Sequence, residues 1–432
     1  MDRDGILNLL NFYRKELKDN ILSFWLPRCV DTENGGFFNC FDNSGRTLVS
    51  RDKYTWSQGR FVWIWSKLAS MTGDTFSEEE KDKFLKLAKH GRDFLVSHCL
   101  IGKDDWRCVF LMDEKGNPKY VDNINVLDAS IFADCFVVAG IALYASVARD
   151  HESWGFAKNL YRSITERINN NTYHSLPYPL GKEYRMHSIP MIMTNLSCEM
   201  YKAAQALEPE TAPYYMENIR YFSNDVLENF VDRRNVLHEI ISSDNTFVDG
   251  VFGDHINPGH TIEDMWFQIH AADILNETGR ISKIGEIAKN AFELGWDPQY
   301  GGYLHFTNST GGEIKGNFEN DPCNEPQLRL VYDDWGSKLW WVHSEALYTS
   351  LLLYFRTGEQ KFLDYYRRTE EYAFSTFPNR DPSIGEWIQI RARDGKPIEK
   401  VVALPVKDPY HITRNFILII ELLEQELDKQ AR

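Results

Sequence analysis

The sequence predicts an all-α fold, an (α/α)6 barrel with short β-hairpins between its helix pairs, carried by one catalytic domain over residues 1–432. Three observations lead there. Most of the chain carries apolar residues at helical period. A fifteen-residue turn motif recurs between the helical stretches. No Pro-, Gly- or Ser-rich linker divides the 432 residues, and that length holds the roughly twelve helices of ordinary size that six helix pairs need.

Taken in order, "MDRDGILNLLNFYRKEL" is an amphipathic helix, with no basic segment leading into a long apolar run of the kind that marks a secretory signal. "GRFVWIWSKLASMTG", "KDKFLKLAKHGRDFLVSHCL", "ASIFADCFVVAGIALYASVA", "SKLWWVHSEALYTSLLLYFRTG" and "YHITRNFILIIELLEQEL" place apolar residues at i, i+3, i+4 and i+7. Several of these stretches end in Gly, a common stop signal. Between them lies the repeat: "DTENGGFFNCFDNSG" from Asp31, "DPQYGGYLHFTNSTG" from Asp297 and "DPSIGEWIQIRARDG" from Asp381, with a weaker copy in "DWRCVFLMDEKG". Asp, then Gly four residues on, an aromatic, a short alternating run and a closing Gly spell turn, strand and turn, which predicts a hairpin. Repeated helix pairs joined this way suggest a unit that closes into a ring.

Composition narrows function. With 43% apolar residues the chain can build a large core, and a net charge of −15 argues against nucleic acid and anionic membranes as partners. No run approaches eighteen uninterrupted apolar residues, so no membrane span is expected. Aromatics at 14% include 12 Trp and 21 Tyr, which mostly fill core but also supply the flat walls that suit sugars. Seven cysteines without a CxxC pair fit reduced thiols and a cytoplasmic location.

Two helix starts carry the chemistry. In "NPGH", Asn257 is the N-cap, Pro258 is N1 and His260 is N3. In "DPYH", Asp408, Pro409 and His411 take the same places. A helix N-terminus disfavours imidazolium, so both rings can work as neutral bases near pH 7. Glu263, three residues after His260 and on its face, is expected to orient that ring and fix its tautomer; Arg414 stands in the same relation to His411. A metal is not expected. His260, Glu263 and His270 share a helix, but ten residues separate the outer pair, and "HEIIS" at 238–242 lacks the second His of a zinc helix. In "SKLWWVHSEA" the pair Trp340–Trp341 cannot both face one way, so one of them should be core. In "WSQGRFVW", Arg60 sits among aromatics near a helix start, a place from which a guanidinium can meet a developing oxyanion.

These segments together resemble the N-acylglucosamine 2-epimerase family. "NGGFFNCFD", "KYTWSQGRFVW", "SIFADCF", "INPGHTIEDMWF", "GWDPQYGGYLHF", "KLWWVHSEAL", "GEWIQIRARDGK" and "YHITR" follow in the family's order across nearly the whole chain. The resemblance implies an (α/α)6 barrel with its site in the central mouth, and epimerisation at C2 of an aldose or N-acyl-hexosamine with no cofactor. It implies His260 and His411 as the catalytic pair, Glu263 as the assisting carboxylate and Arg60 as the essential cation. On the same segments the expected substrate contacts are Phe132, His187, Asn195, Trp340, Trp341 and Glu345. A homodimer is common for such barrels. Three features depart from the pattern: His187 in "YRMHSIPM", a long loop over residues 312–334, and YHITR where FHVPR is more usual. Aldose–ketose isomerisation uses the same groups and is the alternative. Inverting glycoside hydrolysis would instead need two carboxyls roughly 6.5–9.5 Å apart and gives the histidines no task; a non-catalytic sugar-binding module gives them none either.

Overall fold

Helices of two kinds alternate along the computed structural model, which describes residues 1–314, 326–402 and 404–431. Among these residues, twelve helices have 13 residues or more: α1 (Arg3–Lys15), α2 (Thr55–Ser70), α3 (Glu78–His98), α4 (Ile131–Ala148), α5 (His151–Asn169), α6 (Ser188–Leu207), α7 (Ala212–Asp225), α8 (Pro258–Leu275), α9 (Ile281–Leu294), α10 (Trp340–Thr357), α11 (Gln360–Thr376) and α12 (Tyr410–Ala431). The even-numbered helices pack in a closed inner ring, α2 on α4, then α6, α8, α10, α12 and back to α2. Each also pairs with an odd-numbered outer helix, and α1 closes the molecule by pairing with α12. This is the (α/α)6 barrel that the periodicity and the repeat predict.

Sequence explains which helix goes where. The outer α3 has a charged face and a full capping box, Ser77 with Glu80. The inner α4 is apolar nearly all round, as a helix with neighbours on every side must be. By length and mean hydropathy (2.0) it is the one helix among the described residues that could cross a membrane, yet here it is an inner-ring core helix. Its buried Asp134 is matched by Arg167. Two glycines let α2 and α4 touch backbone to backbone: a Cβ on Gly59 would lie 2.4 Å from the Phe136 carbonyl, and one on Gly140 would lie 2.3 Å from the Gly59 oxygen. That crossing sets Arg60, the next residue, against the Phe136 ring.

The turn repeat is real, and its strands pair beyond the expected hairpins. Asp31, Asp297 and Asp381 each accept backbone N–H groups of their own turn. Each motif closes its first turn by a bridge, Val30 with Phe37, Trp296 with Tyr303 and Pro378 with Trp387, and in the first and third the strand also folds back across the closing Gly as a short hairpin, Phe41 with Leu48 and Arg391 with Pro397. The strand that follows the first turn pairs with a segment entering an inner helix. Thr307–Asn308 pairs with His255–Ile256 before α8, and Ile390–Arg391 with Lys338–Leu339 before α10. Buried lysines lock the joins: Lys53 reaches Asp31 at 2.7 Å, Lys338 reaches Asp297 at 3.0 Å and Lys407 reaches Glu386 at 2.6 Å. Each lysine precedes an inner helix by a few residues, so the repeat fixes where those helices begin. The six cysteines described are buried free thiols; Cys323 and residues 315–325 of the long loop lie outside the described residues.

Candidate active site

The starts of all six inner helices line one cavity of about 170 Å³. Ser57 and Arg60 come from α2, Phe132 and Phe136 from α4, Met191 and Ile192 from α6, His260 and Glu263 from α8, Trp340 and Trp341 from α10, and His411 and Arg414 from α12. Six parallel helices therefore present their positive dipole ends to one space, a setting that favours developing negative charge. Val402, Leu404 and Val406 of the segment before α12 close an apolar side.

Both helix starts form as the sequence predicts. Asn257 Oδ1 accepts the His260 N–H at 3.1 Å, and Asp408 Oδ2 accepts that of His411 at 3.0 Å. Gly259 leaves room for the Trp341 indole, whose nearest atom would be 2.5 Å from a Cβ there. The indole lies between the two imidazoles, 5.4 Å from the His260 ring and 5.6 Å from that of His411, centre to centre.

The carboxylate behind each imidazole is one that sequence spacing missed. His260 Nδ1 meets Glu239 Oε2 at 2.9 Å. Glu263 does not orient His260. From one turn along α8 it faces the other station, where it binds the Arg414 guanidinium and lies 3.8 Å from His411 Nδ1. His411 Nδ1 meets Glu345 Oε1 at 2.7 Å. A carboxylate only accepts, so each Nδ1 carries the proton and each Nε2 is the acceptor. Arg60 points Nη2 at His411 Nε2, 3.2 Å away, and holds Asp408 at 2.9 Å with Nη1. Its guanidinium is packed among the Trp56, Phe136 and Tyr410 rings.

Each station continues inward through one cation held by two carboxylates. Behind His260, His187 donates Nε2–H to Asp264 at 2.8 Å while its Nδ1 faces Glu239 Oε1 at 3.5 Å. Burial pulls this imidazole down, but Asp264 and Glu239 outweigh it and raise it to about 9, so it is charged at neutral pH. Glu239 lies well below the carboxylate range in spite of burial, held there by His260 and His187. Behind His411, Arg414 spans Glu263 and Glu345, and Trp266 Nε1 adds a 2.8 Å bond to Glu345. By spacing, His187–Glu239–His260 and Glu263–Glu345–His411 are the two sets among the described residues that could hold a metal ion, each within 4.8 Å. A side-chain cation, His187 within the first set and Arg414 beside the second, already balances the carboxylates.

Of the expected substrate contacts, Phe132, Trp340 and Trp341 line the cavity. Both tryptophans do so, against the expectation that one is core, because they occupy the first two positions of α10, where the helix end itself faces the mouth. His187, Asn195 and Glu345 do not line it. His187 and Glu345 are fully buried supports, and Asn195 sits one turn deeper on α6 than Ile192. His343, from the same Trp-rich segment, is structural: it takes the Tyr303 N–H at 2.9 Å. Glu239 could have been suspected only as the polar half of "HEIIS", and its 21-residue distance from His260 is invisible to helical spacing. His305, on the turn repeat, lines the cavity as a third imidazole.

Two carboxylate-backed imidazoles, a cavity-facing guanidinium and an aromatic wall, set at the helix starts of a double ring, define a carbohydrate isomerase that works by proton transfer. The chain belongs to the N-acylglucosamine 2-epimerase (GlcNAc 2-epimerase) family, whose model matches residues 36–414. It is similar to the N-acylglucosamine 2-epimerase of Bos taurus, 27% identical over 421 residues that span 96% of this chain and 91% of that one. Among solved structures, a cellobiose 2-epimerase from Bacillus thermoamylovorans B4167 superposes with a TM-score of 0.75 at 21% identity, covering 96% of this chain and 100% of that one. A D-mannose isomerase does so with a TM-score of 0.73 at 17% identity, covering 96% and 97%.

Proposed function

We propose that the protein inverts C2 of an N-acyl-hexosamine, interconverting the gluco and manno forms, with His260 and His411 as the two acid–base groups. The observation that carries this reading is the pair of imidazoles on one cavity, each with Nδ1 fixed by its own buried carboxylate and Nε2 left as the basic nitrogen, that of His411 beside the Arg60 guanidinium. In the open-chain sugar the C1 aldehyde makes the C2 proton acidic. One Nε2 removes that proton, and the C–H pair moves into a C1–C2 double bond while O1 takes the charge. Arg60 and the helix starts stabilise the enediolate. The second imidazole, protonated, returns a proton to the opposite face; the C=O re-forms and C2 is inverted. Solvent then resets the two rings. Imidazole suits both directions because its ordinary pKa is near neutrality.

The N-acyl choice rests on the wall. Met191, Ile192, Val402, Leu404 and Val406 offer an apolar surface to an acyl methyl, which an unsubstituted aldose does not use. The relative from Bos taurus, matched over nearly its whole length, bears that substrate in its name. The test is incubation in deuterated water with N-acetylglucosamine, mannose and cellobiose, followed by NMR at C2. Exchange and inversion on the N-acetyl sugar are expected to exceed those on the other two. A ketose as the sole product, or exchange confined to mannose or cellobiose, overturns the reading.

A further inference from the structure

We propose that His305 opens the sugar ring before the C2 chemistry begins. The inference rests on the C2-epimerase reading, which requires an open-chain aldehyde while hexosamines are delivered as closed pyranoses. Opening needs a base for the O1 proton. Burial raises the Tyr178 phenol on the cavity well above its ordinary range, so it is no base, and Arg414 spans Glu263 and Glu345; the remaining ionisable groups there are committed. His260 and His411 serve C2, Arg60 faces His411, Asp408 holds Arg60 and caps α12, and Glu263 is bound to Arg414.

His305 is built like the two C2 groups. Its Nδ1 lies 2.8 Å from Asp334 Oδ2, so the carboxylate fixes the tautomer and leaves Nε2 as the acceptor. Among the described residues Nε2 has no hydrogen-bond partner, and the ring borders the cavity. The ring is pinned from other directions as well: it stacks on Phe306 with centres 3.9 Å apart, and its backbone N–H donates to Ser337. Asp334 is itself fully buried, and its second oxygen takes Ser337 Oγ–H and Lys400 Nζ. An ionised carboxylate placed out of water costs stability unless it is this well matched. A ring that merely accepted a sugar hydroxyl would not need one behind it. The same device, a cavity imidazole on a buried carboxylate, thus occurs three times, and inversion uses two.

In the step, His305 Nε2 takes the anomeric O1–H proton. The freed pair on O1 forms the C1=O bond and the C1–O5 bond breaks with its pair on O5. O5 takes a proton from a cavity water, and the imidazolium returns its own proton to that water. The sugar is isomerised and nothing is consumed.

The test follows anomer interconversion by NMR on freshly dissolved α-N-acetylglucosamine, alongside C2 exchange. His305→Asn keeps an N–H for Asp334 and removes the cavity nitrogen. It should lose the catalysed anomerisation, lower kcat about tenfold or more and reduce the primary isotope effect of a C2-deuterated substrate toward unity. His411→Asn should keep the anomerisation while C2 exchange stops. Wild-type anomerisation in His305→Asn, a rise in KM alone with the isotope effect unchanged, or loss of both activities in His411→Asn overturns the proposal. If His305→Asn does not fold, the His411→Asn arm still decides. Wild-type protein that exchanges no sugar at C2 would instead refute the epimerase reading.

Discussion

The His260 and His411 stations share one plan and differ in the cation at its centre. In both, two buried carboxylates flank a positive group and one of them holds the cavity imidazole by Nδ1. At His411 the cation is Arg414, a guanidinium charged at every accessible pH and aimed at Glu263 and Glu345. At His260 it is His187, charged only because Asp264 and Glu239 hold its proton. One clamp is permanent and the other titrates. The difference teaches that two imidazoles with equivalent supports can have unequal tolerance to pH, which the proposed two-base inversion would inherit.

The largest effect comes from removing either imidazole. Positioned acid–base groups contribute about 10²–10⁴ in rate, so His260→Asn and His411→Asn should each lower kcat for C2 inversion by about a thousandfold with unchanged far-UV circular dichroism. If one variant kept near-normal inversion, the two stations would not be a pair. Next in size is the clamp itself. Arg414→Leu leaves Glu263 and Glu345 buried without a cation, a change that costs about 3–5 kcal/mol, read as a fall in the denaturation midpoint. His187→Leu should cost less, because Asp264 keeps the Gln268 amide and Glu239 keeps His260, whereas Glu263 loses the Arg414 guanidinium. Equal losses in the two variants would mean that the clamps are interchangeable.

Much of this plan was legible in local sequence, and its limits have physical causes. Both N-caps followed from Asn257-Pro258 and Asp408-Pro409, since capping acts across three residues and needs no tertiary information. The ring followed from a repeat whose Asp side chains fold their own turns. Partner assignment failed where contacts cross the barrel. Glu263 and Asp264 are neighbours on α8, and a step of 100° per residue sends one to Arg414 at His411 and the other to His187 at His260. Spacing alone gives Glu263 to His260; which face meets which neighbour is decided by the inner ring. Glu239, Glu345 and Asp334 each reach their histidine from another segment of the chain, so the imidazoles were readable and their carboxylates were not.

Third in size is the effect of pH. His187 stands near 9 in the fold against an ordinary value of about 6.5. Its stabilisation is complete below the lower value and is lost as pH rises through the higher one. Glu239 is shifted the other way, so its contribution is present above the usual carboxylate range and is lost only in strong acid. The His260 station should therefore loosen above about pH 9 while the His411 station keeps its charge. Thermal midpoints measured from pH 7 to 10 should fall for the wild type. In His187→Gln, which carries no titrating clamp, the alkaline part of that fall should shrink. An unaltered alkaline fall in His187→Gln would remove the proton clamp from the account.

The smallest effect tests the wall that the two stations share. Trp341 lies about equally far from both imidazoles, and its place depends on the bare backbone of Gly259. A methyl group there would sit 2.5 Å from the indole and 2.7 Å from Val342 Cγ2, so the ring must move. Overpacking of this kind costs about 1–3 kcal/mol in a tight core. The cavity beside Trp341 gives the ring somewhere to go, so the cost of Gly259→Ala should fall at the low end. The functional cost should be a KM raised several-fold with kcat little changed, because the indole is a wall of the cavity and transfers no proton. Since His260 follows Gly259 directly, a displaced α8 start would instead lower kcat and broaden the His260 ring resonances while leaving those of His411 sharp. The KM–kcat split of this one variant thus separates a wall common to both stations from a support private to His260.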